Sequence, residues 1–362
     1  MVESHLGNLN KARIFTFITF NSIDYSRSGV YLDRQPNDSP LNIVKLSPKF
    51  NCFFAELWKE RKKLRYENQV LVVLSPCSVL VPFIRILSSQ PIVLDAGWPL
   101  TDAELGKKNT LLGKYKYLKA WLVDFLAFHL ARITILESNA QKVHVSRTYL
   151  IRQSKLKVLF TGVNENKYLL SEKSKDKKTI TKYNNILKSD FVFFRGKNNS
   201  ESGINNIIKI ADESKNNYKF VILTNKTPNN FKIRSNVLLI SEHISDFEIS
   251  LFYKKCFLSL GQLSKSKRLD RTIPHKAFEA GFFGTSYLTL KRDGITEFLN
   301  SDAEAIFIED IDITKIAEII DKFQRNLKLQ RKLKANIKEK YSSQASQAKL
   351  KHSFFSILNS LN

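Results

Sequence analysis

The chain has 362 residues, 43% of them hydrophobic, which is more than one typical core holds and fits two domains. Its formal net charge of +24 implies polyanionic company, whether nucleic acid, anionic lipid headgroups or phosphorylated substrates. Cys52, Cys77 and Cys256 form no CxxC or His/Cys ligand set, which argues for a reducing compartment and against structural zinc.

The N-terminal segment MVESHLGNLNKAR has no secretory apolar region, and no apolar run reaches the roughly 18 residues that span a bilayer. The expected location is cytoplasmic, peripheral to the inner face of a membrane at most. RIFTFITF, QVLVVLS, PIVLD, RITILES and KVLFTG are short, rich in β-branched and aromatic residues, and each is followed by polar or turn residues, as in a parallel sheet covered on both faces. The loop Asn21 to Gly29 and the turn Asp95-Ala-Gly-Trp98 follow carboxyl strand ends, where ligands collect in such sheets. Asp95 is a candidate for orienting an acceptor hydroxyl, and equally a turn former ahead of Gly97. GKYKYLKAWLVDFLAFHLAR then sets basic residues and tyrosines before an apolar helix; Lys107 to Lys119 is expected to contact a membrane interface and the residues from Trp121 onward to pack under the sheet.

After a polar, Lys-rich interval from Ser171 to Lys188 a second series begins: DFVFFR, YKFVILT, VLLIS, CFLSLG, SYLTL and AIFIED, with amphipathic helices such as Ile204 to Glu213 and Asp246 to Lys254 between them. Two βα series predict an α/β protein of two Rossmann-like domains with a cleft between them, and a C-terminal helical segment near Gln330 to Asn362. Cys256 to Gly261 reads as a buried strand, and Pro274 opens a helix that stops at Gly284. Lys276 falls in its first turn and Glu279 shares its face. A cation beside a helix N-terminus suits a phosphate, and a carboxylate one turn deeper can accept from sugar or ribose hydroxyls; an ordinary surface pair would read the same way. Lys197 follows the carboxyl end of DFVFFR as Lys276 follows that of CFLSLG, so two cations and two helix N-termini converge on one sheet edge. The turn Lys291 to Gly294 reaches that edge too, with Glu297 beginning the next helix. Asp310-Ile-Asp312 spells a metal-type DxD, but its place ahead of a helix makes Asp312 an N-cap. His275 shapes the loop beside Pro274, and no metal site is expected. Neither GxGxxG nor GxSxG occurs, and no nucleic-acid motif accompanies the charge.

The segment SLGQLSKSKRLDRTIPHKAFEAGFFGTSYLTLKRDGITEFL resembles the donor-binding region of family 4 glycosyltransferases, which carry an Arg, Ile-Pro-x-Lys, x-x-Glu-Ala run there. LESNAQKVHVSRTYLIRQSKLKVLFTGVNENKY resembles the segment joining their two domains, and FVFFRGKNNSESGINNIIKIADE the opening of their donor domain, with Gly196 and Lys197 matching. The resemblance implies a GT-B fold divided into an acceptor domain over residues 1–164, a donor domain over 165–345 and a C-terminal helix over 346–362 that packs back on the first. It implies transfer of a sugar, with retention and without cofactor or metal, from a nucleotide diphosphate donor to a cell-envelope polysaccharide or lipid-linked acceptor; nucleic acid is the less attractive partner, since no nucleic-acid motif occurs and the lysines are spread. Lys276, Glu279 and Asp95 are the candidate catalytic residues, and Gly196, Lys197, Arg271, Pro274, His275 and Gly294 the candidate donor-binding ones. Two positions depart from the pattern: Ser202 stands before Gly203 where relatives have a second cation, and Arg271 stands where many have an earlier glutamate. Arg195, Arg271 or Lys276 could supply the missing charge. A noncatalytic homologue that binds sugar nucleotide or membrane, and a GT-B nucleotide-sugar epimerase, are the alternatives.

Overall fold

A computed structural model describes residues 13–20, 22, 26–33, 41–107, 110–173, 177–229 and 231–361. Of the expected basic stretch Lys107 to Lys119, the side chain of Lys107 and residues 108–109 lie outside these bounds, as do Asn21 and residues 23–25 of the loop Asn21 to Gly29. The chain divides into two compact units: residues 1–137, 142–159 and 352–362 form the first, and 138–141 and 160–351 the second.

The first unit is built on a parallel sheet of β1 (Ile14–Thr19), β2 (Asn42–Lys45), β3 (Gln69–Val73), β4 (Ile92–Gly97), β5 (Ile133–Leu136) and β6 (Leu156–Val158), in the order β2-β1-β3-β4-β5-β6. Strand β2 is the one the sequence does not announce, because NIVK is short and begins and ends on polar residues. β3 and β4 are buried along their whole length, as two-sided burial requires of the middle of such a sheet. Where the chain re-enters this unit near its C-terminus, the Phe354 ring stacks on Tyr31 at 4.9 Å.

Helix Leu111–Leu130 departs from expectation in its second half. Asp124, Ala127 and Phe128 are buried, but Leu122 and Leu126 face outward. Asp124, the one carboxylate in this apolar run, accepts from the backbone N–H of Leu100 at 3.0 Å and Thr101 at 2.9 Å and from the Tyr149 hydroxyl at 3.1 Å, so it closes the start of helix Leu100–Glu104. Burial pushes its carboxyl up to about 6 against those hydrogen bonds. Among the described residues no helix is long and apolar enough to cross a membrane.

The second unit repeats the plan with β7 (Phe191–Arg195), β8 (Lys219–Leu223), β9 (Val237–Ile240), β10 (Leu258–Leu260), β11 (Tyr287–Leu290) and β12 (Ile306–Ile308), all parallel, in the order β12-β11-β10-β7-β8-β9. Its hydrophobic core forms two layers, one on each face of the sheet. The interval expected to be merely polar contains the helix Lys177–Leu187, whose Tyr183 and Ile186 dock on the sheet's core. The strand order reverses between β7 and β10, so the loops after these two strands diverge and leave a crevice at their carboxyl ends.

Candidate functional site

Helix His275–Phe283 starts after Pro274, which is the N-cap with extended ψ rather than the first helical residue, and ends on Gly284 in the left-handed region at φ 65°. Gly281 in its middle lets it approach helix Leu327–Gln344: a Cβ there would stand 2.8 Å from Cβ of Tyr341. Its first turn lies at the carboxyl end of β7, the strand that pairs with β10.

Lys276 sits in that turn and is buried, with 8% of its surface exposed. Its Nζ lies over the Phe194 ring, 4.7 Å from the centroid, and a Cβ placed on Gly196 would be 3.4 Å from it and 2.9 Å from the Phe194 ring. The amine has neither a hydrogen-bond acceptor nor an ion-pair partner among the described residues. Burial, set against the attraction of Glu279 and reinforced by repulsion from Arg195, brings its pKa down from 10.5 to about 7. A buried cation with no direct anionic partner among the described residues is costly to a folded chain and suits an anion that would complete it.

Glu279 is deeper, 1% exposed. It accepts from the Tyr168 hydroxyl at 2.8 Å and the Tyr253 hydroxyl at 2.8 Å, pairs with the Arg195 guanidinium, and lies 3.5 Å from Nδ1 of His275. Burial works against its charge, but Arg195, His275 and Tyr253 outweigh it and hold the carboxyl below the usual range. Glu279 raises the Arg195 pKa in return, against the cost of burial, so the pair is ionised on both sides. Expected to face donor hydroxyls, Glu279 has most of its acceptor capacity taken by the protein. The arginine it holds is the more open partner, with 34% of its side chain exposed at the end of β7.

The other expected donor residues divide into two groups. Gly196 lies against Lys276, and His275 is an exposed neighbour of Glu279. Lys197 is exposed one residue beyond Gly196. Arg271 is engaged elsewhere, its Nε donating to Oε1 of Gln141 at 3.3 Å and its carbonyl accepting from Ser138 at 2.5 Å. Gly294 is buried against that same backbone, where a Cβ would stand 2.5 Å from the Arg271 carbonyl carbon; it packs the loop rather than lining it. Glu297 does not begin a helix: it caps the end of helix Asp293–Thr296 and accepts from the backbone N–H of Asn139 at 2.6 Å and Ala140 at 2.7 Å, which opens helix Asn139–Tyr149.

Ser202, the departure ahead of helix Ile204–Glu213, is buried and donates to the Asn199 carbonyl at 2.7 Å. The cleft of about 500 Å³ beside it is lined by Asn198, Asn199, Ser202, Asn205 and Asn206, with Lys265 the one charged lining residue among the described residues. Asp312 accepts from the Lys315 N–H at 3.1 Å, the N-cap geometry expected of it.

Asp95 is closed off. It lies within β4, 0% exposed, and the Arg27 guanidinium grips it through Nε at 3.0 Å and Nη2 at 2.9 Å. A carboxylate so enclosed anchors the helix Ser26–Tyr31 to the sheet and cannot orient an acceptor hydroxyl. Tyr168, Tyr253 and Arg195 are the site residues that sequence reasoning did not assign to Glu279; buried tyrosines need a polar partner, but nothing in the sequence says which.

No protein-family model matches the sequence, and no curated protein matches it. Solved structures do. Over 96% of this chain and 100% of the other, it superposes on the crystal structure of Anabaena HepE in complex with UDP-glucose, with a TM-score of 0.71 at 12% identity. Sucrose-phosphate synthase from Thermosynechococcus elongatus gives 0.71 at 12% identity over 97% and 99% of the two chains, and the UDP-forming trehalose-phosphate synthase from Burkholderia vietnamiensis 0.70 at 8% over 97% and 98%. With its two parallel six-stranded sheets, the chain therefore has the fold of these glycosyltransferases, the GT-B fold of two Rossmann-like domains.

Proposed function

We propose that the protein transfers a hexosyl group from a UDP-type nucleotide sugar to an acceptor hydroxyl, with retention and without a metal, as in family 4 glycosyltransferases. The observation that carries this reading is the buried, unpartnered amine of Lys276 at the point where the strand order of the second sheet reverses, beside the bare backbone of Gly196. HepE, of similar fold, has been solved in complex with UDP and with UDP-glucose. Breaking the bond between the anomeric carbon and the diphosphate leaves negative charge on the diphosphate, and Lys276, Arg195 and the first backbone N–H groups of helix His275–Phe283 supply positive charge there. Arg195 serves as the second cation in place of the one absent at Ser202, with Glu279 as the positioning residue that holds it and Lys197 reaching in from the exposed loop. Such a site neutralises a diphosphate by side chains and needs no divalent ion to do so. The acceptor we propose is a cell-envelope polysaccharide or a lipid-linked precursor, met by a protein lying on the inner face of a membrane.

A noncatalytic sugar-nucleotide binder is the second reading, favoured by the inward turn of Ser202 and by the engagement of Arg271 with Gln141. Purified protein incubated with UDP-sugars separates the two: UDP release with an acceptor extract supports transfer, whereas tight UDP binding without release supports the binder. Calorimetry locates the pocket in either case. Lys276→Ala should weaken UDP binding by about 2 to 5 kcal/mol, and unchanged affinity in both Lys276→Ala and Arg195→Ala would place the donor elsewhere.

A further inference from the structure

Helix Leu111–Leu130 is apolar on two opposite faces, and the first unit, chiefly its helices Leu80–Leu87 and Leu100–Glu104, covers only one. Gly113, Asp124, Ala127 and Phe128 form the inner face. Leu111, Tyr115, Leu118, Leu122 and Leu126 are between 45% and 87% exposed. At about 100° per residue these five fall within an arc of roughly 80° on the side away from the buried residues, a row about 22 Å long. Lys114 lies along one flank of the row and Lys119 along the other, with Lys116 further round on the Lys119 side beyond exposed Leu112; all three lysines are exposed. The helix's only acidic residue is the buried Asp124, so its outer face carries positive charge alone.

Single exposed leucines are ordinary, but a straight row of them framed by lysines is not what solvent selects. The row lies on the outward curve of one helix rather than in a groove, so a flat, deformable apolar layer covers it better than an inserted side chain does. Charge narrows the occupant further: three exposed lysines on a chain of net charge +24 complement an anionic surface. We infer that the outer face of helix Leu111–Leu130 lies along an anionic lipid bilayer, its leucines among the upper acyl chains and its lysines on headgroup phosphates. The contact extends past the basic stretch ending at Lys119 and includes the half of the helix that follows Trp121. It deepens the acceptor side of the proposed function, and it concerns the first unit, so its failure leaves the donor site of the second unit standing.

The test is sedimentation of the full chain with vesicles of phosphatidylcholine containing about 30% phosphatidylglycerol, against vesicles of phosphatidylcholine alone. Two triple variants change exposed side chains only: Leu118→Gln with Leu122→Gln and Leu126→Gln, and Lys114→Gln with Lys116→Gln and Lys119→Gln. Thermal melting and UDP calorimetry on each variant report the fold and the donor site separately. The parent is expected to bind the anionic vesicles, and each triple variant to lower its partition constant at least about tenfold. At high salt the lysine variant and the parent should converge, while the leucine variant stays the weaker binder, because screening removes only the electrostatic part. A leucine variant that pellets as well as the parent overturns the inference. So does a parent that ignores anionic vesicles but is a dimer which the leucine changes split, for then a second copy covers the row.

Discussion

Replacing Lys276 with methionine should make the protein more stable and unable to bind its nucleotide. The amine's pKa falls from 10.5 to about 7 on folding, so below pH 7 the folded chain carries a charge it would rather lose. At 1.36 kcal/mol per unit that costs on the order of 5 kcal/mol, and relaxation around the charge reduces it to about 2 to 4 kcal/mol. Methionine keeps the length of the stem and its contact with the Phe194 ring without the charge. Between the two pKa values the unfolded chain binds more protons than the folded one, so the wild type gains stability as pH rises from about 7 toward 10.5. The advantage of Lys276→Met is therefore full at pH 6, smaller at pH 9, and gone above the unfolded value. Urea melts of both proteins at pH 6 and pH 9 measure it. Equal stability at pH 6, or a gain that does not shrink toward pH 9, would refute the picture of a buried cation with no direct anionic partner. The same charge makes UDP binding take up a proton at neutral pH, which calorimetry in two buffers of different ionisation heat detects, and affinity should fall as pH climbs past about 7.

Three further outcomes follow from particular contacts. Gly203 caps helix Ile204–Glu213 at φ 71°, and a Cβ there would lie 2.1 Å from the Leu263 carbonyl oxygen; Gly203→Ala should cost about 2 to 4 kcal/mol in a denaturant melt. Arg27→Met leaves the Asp95 carboxylate buried without its partner, so a loss of about 3 to 5 kcal/mol is expected, and the pair Arg27→Met with Asp95→Leu should recover much of it. Glu279→Gln releases Arg195 and should weaken binding of UDP-glucose and of pyrophosphate by similar factors, because the guanidinium it positions faces the diphosphate both share; competition calorimetry showing a loss confined to UDP-glucose would mean that Glu279 meets the sugar itself.

The parts of the molecule that the sequence revealed are those set by local pattern. Strands such as QVLVV and FVFFR are apolar along their length because both faces of the sheet are covered, and Asp312 announces a helix because a carboxylate before an apolar periodic run caps one. Lys276 was legible for the same reason, being fixed by Pro274 in the first turn of its helix. The surroundings of Glu279 were not, since Tyr168 and Arg195 reach it from 111 and 84 residues away, Arg195 from the end of β7, which pairs with β10, and Tyr168 from helix Glu165–Lys173. Nor could periodicity decide helix Leu111–Leu130: with apolar residues on opposite sides, the spacing does not say which side the first unit covers.

That ambiguity in the helix and the occupancy of Glu279 have a common physical root. A carboxylate or an apolar stripe in a sequence states what an environment must supply, and several environments supply it. Two tyrosine hydroxyls and a guanidinium satisfy Glu279 as well as a sugar would, so its acceptor capacity is spent within the protein, and the more open charge of the pair is that of Arg195. Lys276 differs because nothing among the described residues satisfies it. A demand left unmet inside the fold is what singles out a binding site, and it makes the amine of Lys276 better evidence for an anionic ligand than the motif in which it occurs.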